Sequence, residues 1–422
     1  MDNGVSLAAI RAARDVIAGN ARVTPVWPSS SLSRIAGHPV VFKCEHLQRT
    51  GSFKLRGALN FVAQLTPHDV GRGLVAASAG NHAQGIAYAA HQHGIDVTVV
   101  MPVFAPLAKA NATRDYGARV ILHGNSLEEA HAEAESIALR EGRVYVPPFD
   151  DDAVIAGQGT VALEILEQYP DAAEILVPAG GGGLLAGVAT AAKALRPDIR
   201  VVGVQAAVMD GICRSFAVHR PLTAVPQRTI ADGVAVAGPS ERTFRLIERH
   251  VDHMVSVGED AIAHAIVLLL ERAKMVVEGA GALGVAAIHS GAYRPSGASV
   301  VVLSGGNIDI NLVGSIVRRG LVDAGRYRRL LVEVSDTPGE LALVARVIAE
   351  AGGNVLEVDH NRDAPGMPVG VAVLDLLLEI HGPAHFDAIV EALRHEGLRG
   401  VPGSPARLAT ESARQRHTQI ER

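Results

Sequence analysis

Short runs rich in β-branched residues alternate with Ala-rich segments over the first 318 residues, and this alternation limits the fold more than any other feature of the chain. Within the Ala-rich segments, apolar residues recur near the helical period. The alternation is typical of parallel strands joined by crossover helices, so we expect a parallel α/β fold. The strand candidates are Val97 to Met101, Ile175 to Pro178, Val201 to Gln205 and Ser299 to Ser304. The helix candidates are Gly85 to His93, Leu184 to Leu195 and Ala261 to Ala273.

A different pattern begins after Arg318. The basic, Gly-interrupted stretch 319–329 is predicted to be a linker. Residues 330–401 then read strand, helix, strand, strand, helix, with little sequence left for a fourth strand. That order suits a small α+β domain of ferredoxin-like type, about 70 residues long. We expect the polar residues 402–422 to form a frayed tail.

Charge balance and cysteine count limit the partners and the compartment. The 422 residues include 39 basic and 44 acidic ones, a formal charge of −5, so the chain lacks the basic field that nucleic acid or acidic membranes require. Two cysteines, Cys44 and Cys213, are too few for a disulfide framework. The N-terminus has no basic-then-apolar export pattern, and the longest apolar stretch, Ala261 to Leu270, is too short for a membrane span. We expect a cytoplasmic protein with small-molecule partners.

Lys54 stands in the segment Thr50-Gly-Ser-Phe-Lys-Leu-Arg56, after an aromatic residue and a Gly-Ser turn that could open a helix. A lysine held there would lose part of its hydration, which lowers its pKa and makes its amine a nucleophile for carbonyl carbon. Phe53 offers a flat apolar face beside it. On this segment alone, an ordinary solvated lysine is the simpler interpretation.

The segment Ser78-Ala-Gly-Asn-His-Ala-Gln-Gly85 lies between an apolar run and a helix that we expect to open near Gly85. Small residues at a helix start expose backbone N–H groups, which bind a carboxylate or phosphate. Asn81 and His82 would add side-chain hydrogen bonds to such an anion. A capped helix start with a surface histidine is the alternative interpretation.

Four consecutive glycines, Gly180 to Gly183, precede Leu184 between a strand and an amphipathic helix. Glycine loses the most entropy on folding, so a purely structural turn would rarely use four. Backbone N–H groups at such a place form a nest for phosphate. A dinucleotide is the rival ligand, because Gly181-x-Gly183-x-x-Ala186 satisfies the permissive Rossmann pattern. The next strand, however, ends in Gln205 where an acidic residue would bind the ribose, so a single phosphate fits better.

Ser304 follows a buried strand and precedes two glycines, at the sheet edge that faces the ligand crevice in open parallel sheets. Its hydroxyl can donate to a neutral pyridine nitrogen, although a serine in a turn has no special meaning by itself. Glu278, in a Gly-rich break, would either reach the same site or serve a helix end.

The sequence predicts no metal site. The 18 histidines include no His-x-x-x-His pair supported by a carboxylate cluster, and Asp150 to Asp152 is more typical of a solvated loop.

Taken in this order, the segments resemble the fold-type II pyridoxal-phosphate enzymes, and among them the threonine ammonia-lyases (threonine dehydratases). The resemblance covers about residues 5 to 318. It implies a catalytic domain over residues 1–318 with two parallel-sheet subdomains, as in tryptophan synthase β, the smaller one at about 50–155 inserted in the larger.

The resemblance also implies roles for the site residues toward pyridoxal 5'-phosphate. Lys54 would carry the cofactor as a Schiff base and act as the base for the α-proton. Phe53 would pack on the ring, Asn81 would bond its 3'-oxygen, and Ser304 would meet its nitrogen. The phosphate cradle would consist of Gly180, Gly181, Gly182, Gly183 and Leu184.

The substrate's carboxylate would lie against a single turn. The turn consists of Ser78, Ala79, Gly80, Asn81 and His82. Glu278 and Gly233 would support the site from behind. The implied reaction converts threonine to 2-oxobutanoate and ammonia, and serine to pyruvate.

Residues 330–401 resemble an ACT domain, the small module that binds amino acids in regulated enzymes. Asp336-Thr-Pro-Gly-Glu-Leu341 matches its turn from strand to helix, but the closing fourth strand is expected to be missing because Pro402 and Gly403 follow Val401. The resemblance implies allosteric control by isoleucine or valine and a homo-oligomer, a tetramer or a dimer.

Three alternatives remain. A serine racemase needs a second acid/base group, a role that resembles the second serine of its Ser-Ser-Gly-Asn-His segment, whereas this chain has Ala79 there and Gln205 in place of a metal-site glutamate. A hydroxyaspartate dehydratase would share the scaffold. An amino-acid sensor that had lost its chemistry would have no use for Lys54.

Overall fold

Two sheets form the first part of the chain, and their strands are mainly parallel, as the alternation predicts. The structure is a computed structural model that describes residues 4–225, 227–362 and 369–403. It divides into two compact units, Met1–Val313 and Gly314–Arg422. The strands of the first unit are β1 (Val26–Pro28), β2 (Val40–Lys43), β3 (Leu74–Ala77), β4 (Val97–Met101), β5 (Arg119–Leu122), β6 (Val144–Tyr145), β7 (Glu174–Pro178), β8 (Arg200–Ala206), β9 (His253–Val257) and β10 (Ser299–Val302).

The larger sheet has the strand order β1-β2-β10-β7-β8-β9, in which β1 alone runs antiparallel to its neighbour. The smaller sheet has the order β5-β4-β3-β6 and is parallel throughout. Its strands all lie in sequence between β2 and β7 of the larger sheet. The four predicted strands are confirmed as β4, β7, β8 and β10, with ends shifted by at most two residues.

Helices connect these strands. The helices are α1 (Leu7–Ile17), α2 (Ser30–Ala36), α3 (Lys54–Val62), α4 (Pro67–Arg72), α5 (Asn81–Gln92), α6 (Leu107–Asp115), α7 (Leu127–Glu141), α8 (Asp152–Gln168), α9 (Gly183–Leu195), α10 (Gly211–Val218), α11 (Glu241–His250), α12 (Glu259–Leu268), α13 (Gly279–His289) and α14 (Ile310–Asp323). Short 3-10 turns occupy Glu45–Leu47, Ala207–Met209 and Asp232–Val234, and a π-helical turn, Leu269–Ala273, extends α12. None of the helices within the described ranges is long and apolar enough to cross a membrane.

Local signals explain several helix starts. Ser6, Ser126 and Asp151 each accept a backbone N–H at the start of α1, α7 and α8, which satisfies donors that the helix leaves free. The prediction for α5 was wrong at its start: the helix begins at Asn81, four residues before Gly85, so the chemistry-bearing Asn81 and His82 lie on its first turn.

Each sheet has its own apolar core. Ile155 of α8, Val177 of β7 and Val300 of β10 lie in the core of the larger sheet. Leu55 of α3 and Ile86 of α5 pack with the smaller sheet. Helix α3 also packs on α8, so it connects the two parts of the first unit. This arrangement brings the carboxyl ends of β3, β7 and β10 toward one cavity.

The second unit has an antiparallel sheet and two helices. Its strands are β11 (Tyr327–Ser335), β12 (Asn354–Asn361), β13 (Val371–Glu379) and β14 (Arg399–Pro402), and its helices are α15 (Glu340–Glu350) and α16 (Pro383–His395). The strand order is β12-β13-β11-β14. The sheet and the helices share one apolar core, to which Val332 of β11, Leu374 of β13 and Phe386 of α16 contribute.

One expectation for this region was wrong. A fourth strand does exist, because β14 pairs with β11 from Arg399 to Pro402. Proline is tolerated there since β14 is an edge strand, whose outer N–H groups need no partner in the sheet. The stretch 319–329, predicted as a linker, contains the end of α14, which continues to Asp323, and the start of β11 at Tyr327. Of the predicted tail 402–422, residues 404–422 lie outside the described residues.

Candidate active site

A cavity of about 200 Å³ lies where the carboxyl ends of the parallel strands meet. Every residue predicted for the site lines this one cavity. These residues are Phe53, Lys54, Ser78, Ala79, Gly80, Asn81, His82, Gly180, Gly181, Gly182, Gly183, Leu184, Gly233, Glu278 and Ser304. They come from widely separated segments of the chain, and the fold brings these predicted site residues together in one place.

Lys54 is the first residue of α3 and points its amine into the cavity. The preceding residues are fixed to the end of β10, because Ser52 bridges Gly305 and the Phe53 N–H donates to the Ser304 carbonyl at 3.0 Å. The Lys54 Nζ donates to the Pro148 carbonyl at 2.7 Å and lies 5.4 Å from the centroid of the Phe53 ring. Burial lowers the pKa of Lys54 to about 8, although the carboxylate of Glu278 acts in the opposite direction.

The glycine run joins β7 to α9 and forms one wall. Gly182 has φ +93°, a conformation that favours glycine over any residue with a side chain. A Cβ on Gly181 would lie 2.5 Å from the ring of Phe149, so the backbone can approach that ring only without a side chain. Because α9 begins at Gly183, the N–H groups of its first turn have no acceptor within the helix. This wall is therefore suited to an anion.

Both the nitrogen and the oxygen of the Asn81 side-chain amide form hydrogen bonds within the protein. Its Nδ2 donates to Glu278 Oε1 at 2.7 Å, and its Oδ1 accepts from Asn307 Nδ2 at 2.8 Å. Asn307 also donates to the Thr50 carbonyl at 2.8 Å, which ties the group to the segment before Lys54. The amide thus has a fixed orientation, and its second N–H remains for a ligand in the cavity.

His82 differs from the expectation. Its Nε2 lies 3.0 Å from the Val146 carbonyl, so the ring is directed at the backbone after β6. Burial, together with the positive charge of Lys54, lowers the pKa of His82 to about 3. A neutral histidine in this place gives no positive charge to an anion. The Ser78 N–H donates to the Val100 carbonyl and the Gly80 N–H to Ser78 Oγ, so the turn offers an anion mainly the backbone N–H groups of Ala79, Asn81 and His82.

Glu278 precedes α13 but its side chain makes no capping hydrogen bond there. The residue is buried, and Oε2 has no hydrogen-bond partner among the described residues. Burial, with the nearby charge of Asp232, raises the pKa of Glu278 to about 7. A Cβ on Gly233 would lie 3.3 Å from Glu278 Oε1, so the glycine leaves room for the carboxyl group. Of the two roles considered for Glu278, the geometry favours the one at the cavity.

Ser304 lies two residues after the end of β10 and is buried at the cavity wall. Its carbonyl is engaged by Phe53, which leaves the hydroxyl as its group for a ligand. This position carries a hydroxyl rather than a carboxylate, so the wall next to β10 suits an uncharged ring nitrogen.

Sequence reasoning missed two charged residues in the wall. Lys109 on α6 and Asp232 on the 3-10 turn both line the cavity and form an ion pair of 2.5 Å. The signal was present but weak, since Asp232 precedes Gly233 and Lys109 follows the end of β4 by eight residues.

A buried network of charges behind Lys54 was also missed. Arg56, two residues after Lys54, binds both Glu45 and Glu164, at 2.8 Å and 2.6 Å. Lys43 reaches Glu164 at 2.5 Å. The network joins α3 to α8 and to the 3-10 turn after β2, and so it fixes the helix that presents Lys54. Among the described residues, no group of histidine, cysteine and acidic side chains could hold a metal ion.

Comparison with known proteins identifies the family. The model of the pyridoxal-phosphate dependent enzyme family matches residues 17–305. The chain belongs to this family. That range contains all of the residues lining the cavity, from Phe53 to Ser304.

Individual relatives and solved structures show which members of the family the chain resembles. The chain is 45% identical over 393 residues to an L-threonine ammonia-lyase of Thermotoga maritima, covering 93% of this chain and 98% of the relative. It resembles the processed form of threonine deaminase isoform 2 from Solanum lycopersicum with a TM-score of 0.70 and 35% identity, over 74% of this chain and 86% of that one. It also resembles maize serine racemase, with a TM-score of 0.71 and 34% identity, over 76% and 99% of the two chains.

The cavity fits the cofactor of the family. A lysine of lowered pKa lies on one side, and the other wall is a glycine cradle that a Cβ would fill. The Lys54 amine would meet the cofactor's carbonyl, the Gly180–Leu184 wall would suit its phosphate, and the Ser304 hydroxyl would suit an uncharged ring nitrogen. Pyridoxal 5'-phosphate is the cofactor of this family of enzymes.

Proposed function

We propose that this protein is a threonine ammonia-lyase, which converts L-threonine to 2-oxobutanoate and ammonia and acts on L-serine in the same way to give pyruvate. The observation that carries the proposal is the position of the Lys54 amine, in one cavity with the glycine cradle and the Ser78–His82 turn. The 45% identity to a relative named L-threonine ammonia-lyase, over 98% of that relative, supports the choice of reaction.

The residues that line the cavity have different roles in the proposed reaction. Lys54 would hold the cofactor, and its amine would take the proton from the α-carbon of the substrate. The backbone N–H groups of Ala79, Asn81 and His82 would hold the substrate carboxylate, because those of Ser78 and Gly80 already donate to the Val100 carbonyl and to Ser78 Oγ. Asn81 and Phe53 would orient the cofactor ring. When bound, the cofactor supplies a conjugated ring that withdraws electrons from the α-carbon. Loss of the α-proton and the β-hydroxyl removes water, and hydrolysis then releases the keto acid and ammonia.

Racemisation is the second candidate, because the chain also resembles maize serine racemase. Reversal at the α-carbon needs an acid on the face opposite Lys54. Ala79, the residue matching the second serine of the racemase segment, lines the cavity with a methyl group that carries no proton to give. Elimination is therefore the favoured outcome.

The test is keto-acid release from L-threonine, L-serine and threo-3-hydroxyaspartate, with chiral analysis of the remaining serine. We expect the highest kcat/KM for threonine and no D-serine. Lys54→Ala should abolish turnover, and borohydride reduction should then leave the peptide containing position 54 without the cofactor's added mass. Lys193→Ala, which breaks a surface ion pair with Asp252, is the control. A Lys54→Ala enzyme with unchanged threonine turnover would rule out the assignment.

We also propose that residues 330–401 form an ACT-like regulatory domain joined to a catalytic domain over 1–318, in which residues 50–155 are an inserted subdomain. The β11-α15-β12-β13-α16-β14 order supports this, as does the Thermotoga alignment, whose 393 residues must extend past residue 313. The proposed effector is isoleucine or valine. The proposed oligomeric state is a homotetramer or a homodimer. The free cysteines Cys44 and Cys213 are compatible with the reducing cytoplasm, which is the proposed compartment.

The effector proposal is tested in the full chain. Isoleucine or valine should shift the KM for threonine. Gly339→Ala should reduce the shift, because Gly339 precedes α15 with φ +107° and a side chain would strain that turn. Gly142→Ala, at φ +70° on the other unit with open space around it, is the matched control. Identical threonine curves with and without both amino acids would contradict the regulatory role.

A further inference from the structure

The ion pair between Lys109 and Asp232 crosses the cavity wall. Lys109 lies on α6, which follows β4 of the smaller sheet, whereas Asp232 lies on the 3-10 turn in the part of the chain that builds the larger sheet. Their Nζ and Oδ2 atoms are 2.5 Å apart. The pair therefore connects the two sides of the site directly at the cavity.

The two partners are unequally buried. The Lys109 side chain is 10% exposed and that of Asp232 is 56% exposed. A cation with so little hydration depends on an anionic partner, whereas an exposed carboxylate can return to water at small cost. Asp232 is thus the partner that can move away when another anion approaches Lys109.

Lys109 lies beside the turn proposed to hold the substrate carboxylate. A Cβ built on Gly80 would lie 3.9 Å from the Lys109 Nζ, so the absence of a side chain there leaves the ammonium next to the turn's backbone. A carboxylate bound by the N–H groups of this turn would lie within reach of the ammonium. Charge-assisted hydrogen bonds of this kind are stronger than neutral ones.

Lys109 is the ionisable residue of the described cavity lining that is available to bind the substrate carboxylate. The ionisable residues in its described lining are Lys54, His82, Lys109, Asp232 and Glu278. Lys54 is committed to the cofactor, and His82 is directed at the Val146 carbonyl. The charged group in contact with Lys109 is the carboxylate of Asp232.

We propose that Lys109 binds the α-carboxylate of the substrate and that Asp232, next to it, excludes substrates with a second carboxylate. This rests on the proposed function and specifies its substrate class, the monocarboxylic β-hydroxy amino acids. A zwitterionic amino acid with one carboxylate replaces the Lys109–Asp232 contact with an equivalent one. A dicarboxylic amino acid brings a further negative charge against Asp232 and Glu278, with Lys109 already engaged.

The first experiment measures binding without turnover. L-2-aminobutanoate lacks the β-hydroxyl and cannot undergo the elimination, and 2-amino-1-butanol lacks the carboxylate as well. Both are titrated into the holoenzyme and followed by the cofactor's absorbance. Lys109→Met should weaken aminobutanoate binding by about 10- to 100-fold, the loss of one charge-assisted hydrogen bond, and leave aminobutanol binding within about 2-fold. Lys193→Met, which breaks the Lys193–Asp252 pair outside the cavity, should change neither.

A double variant distinguishes attraction of the substrate carboxylate by Lys109 from its repulsion by Asp232. Lys109→Met with Asp232→Asn removes both charges, so it should bind aminobutanoate as weakly as Lys109→Met does. If the double variant binds it as tightly as the wild type, Lys109 only neutralises Asp232 and the proposal is wrong. Equal weakening of both probes in Lys109→Met would also overturn it, since that would indicate a general structural defect.

Asp232→Asn tests the exclusion. The ratio of kcat/KM for threo-3-hydroxyaspartate to that for threonine should rise about 10-fold, and an unchanged ratio would overturn this part of the proposal. If the wild type releases no keto acid from any of these substrates, the proposed reaction fails, but the two binding titrations still decide whether Lys109 recognises a carboxylate.

Discussion

Glu278 Oε1 accepts a hydrogen bond from Asn81 Nδ2 at 2.7 Å, across 197 positions of sequence. The contact joins α5 of the smaller sheet to the residue before α13, which packs on the larger sheet. Because Glu278 is buried and its second oxygen has no partner among the described residues, the protonation of this carboxyl group affects both stability and the orientation of Asn81.

The pKa of Glu278 should make stability depend on pH. Its folded-state pKa of about 7 lies above the ordinary value of 4.5, so the folded state binds the extra proton and loses stability as the pH rises from about 4.5 to about 7. Glu278→Gln stays neutral and avoids this loss. In urea unfolding of the apoenzyme, the variant's unfolding free energy relative to wild type should increase by about 2 to 3 kcal/mol between pH 5 and pH 8. Parallel pH curves would contradict the raised pKa.

Cofactor capture by Lys54 should respond to pH in the range set by its lowered pKa. An amine reacts with an aldehyde only when neutral, and the pKa of about 8 makes the neutral form abundant well below the ordinary lysine range. Stopped-flow absorbance with apoenzyme should show the capture rate rising with pH and levelling above about 8. The capture rate of Nα-acetyl-lysine amide, whose one amine is the side chain's, should keep rising to about pH 10.4 under the same conditions. Matching profiles for the enzyme and the amide would refute the effect of burial.

Replacing a glycine of the Gly180–Leu184 wall with alanine should weaken cofactor binding. Gly181→Ala places a Cβ 2.5 Å from the Phe149 ring, so either the ring or the cradle backbone must move. We expect cofactor affinity, measured by equilibrium fluorescence titration, to fall by about 10-fold or more, the equivalent of ~1.4 kcal/mol. Gly71→Ala, where open space surrounds the position on the exposed helix α4, should leave the affinity unchanged. Tight binding by Gly181→Ala would place the phosphate elsewhere.

The network behind Lys54 should dominate the stability of α3. Arg56→Met leaves Glu45 and Glu164 buried without their common partner, which should lower the unfolding free energy by about 3 to 5 kcal/mol in urea titrations. The exposed pair Arg14–Glu167 provides the comparison, and Arg14→Met should cost about 1 kcal/mol or less. Equal losses in the two variants would show that burial does not set the cost.

Tertiary contacts explain where sequence reasoning failed. The helix α5 was expected to open near Gly85, yet it begins at Asn81, because Asn81 is held by Glu278 and Asn307 from distant segments. Strand β14 was not expected, since Pro402 ends a strand in isolation but is compatible with the edge position beside β11. Lys109 and Asp232 had only a weak local signal, and they became recognisable as a pair only when α6 and the 3-10 turn met at the cavity.

The sequence by itself determined the alternation of strands and helices, the glycine run before α9, and the segments that carry Lys54, Asn81 and Ser304, because periodicity and backbone-permissive residues act locally. Tertiary structure alone decided the pKa of Lys54, the neutrality of His82 and the pairing of Asn81 with Glu278. These properties depend on burial and on charges from segments far apart in sequence, which no local pattern records.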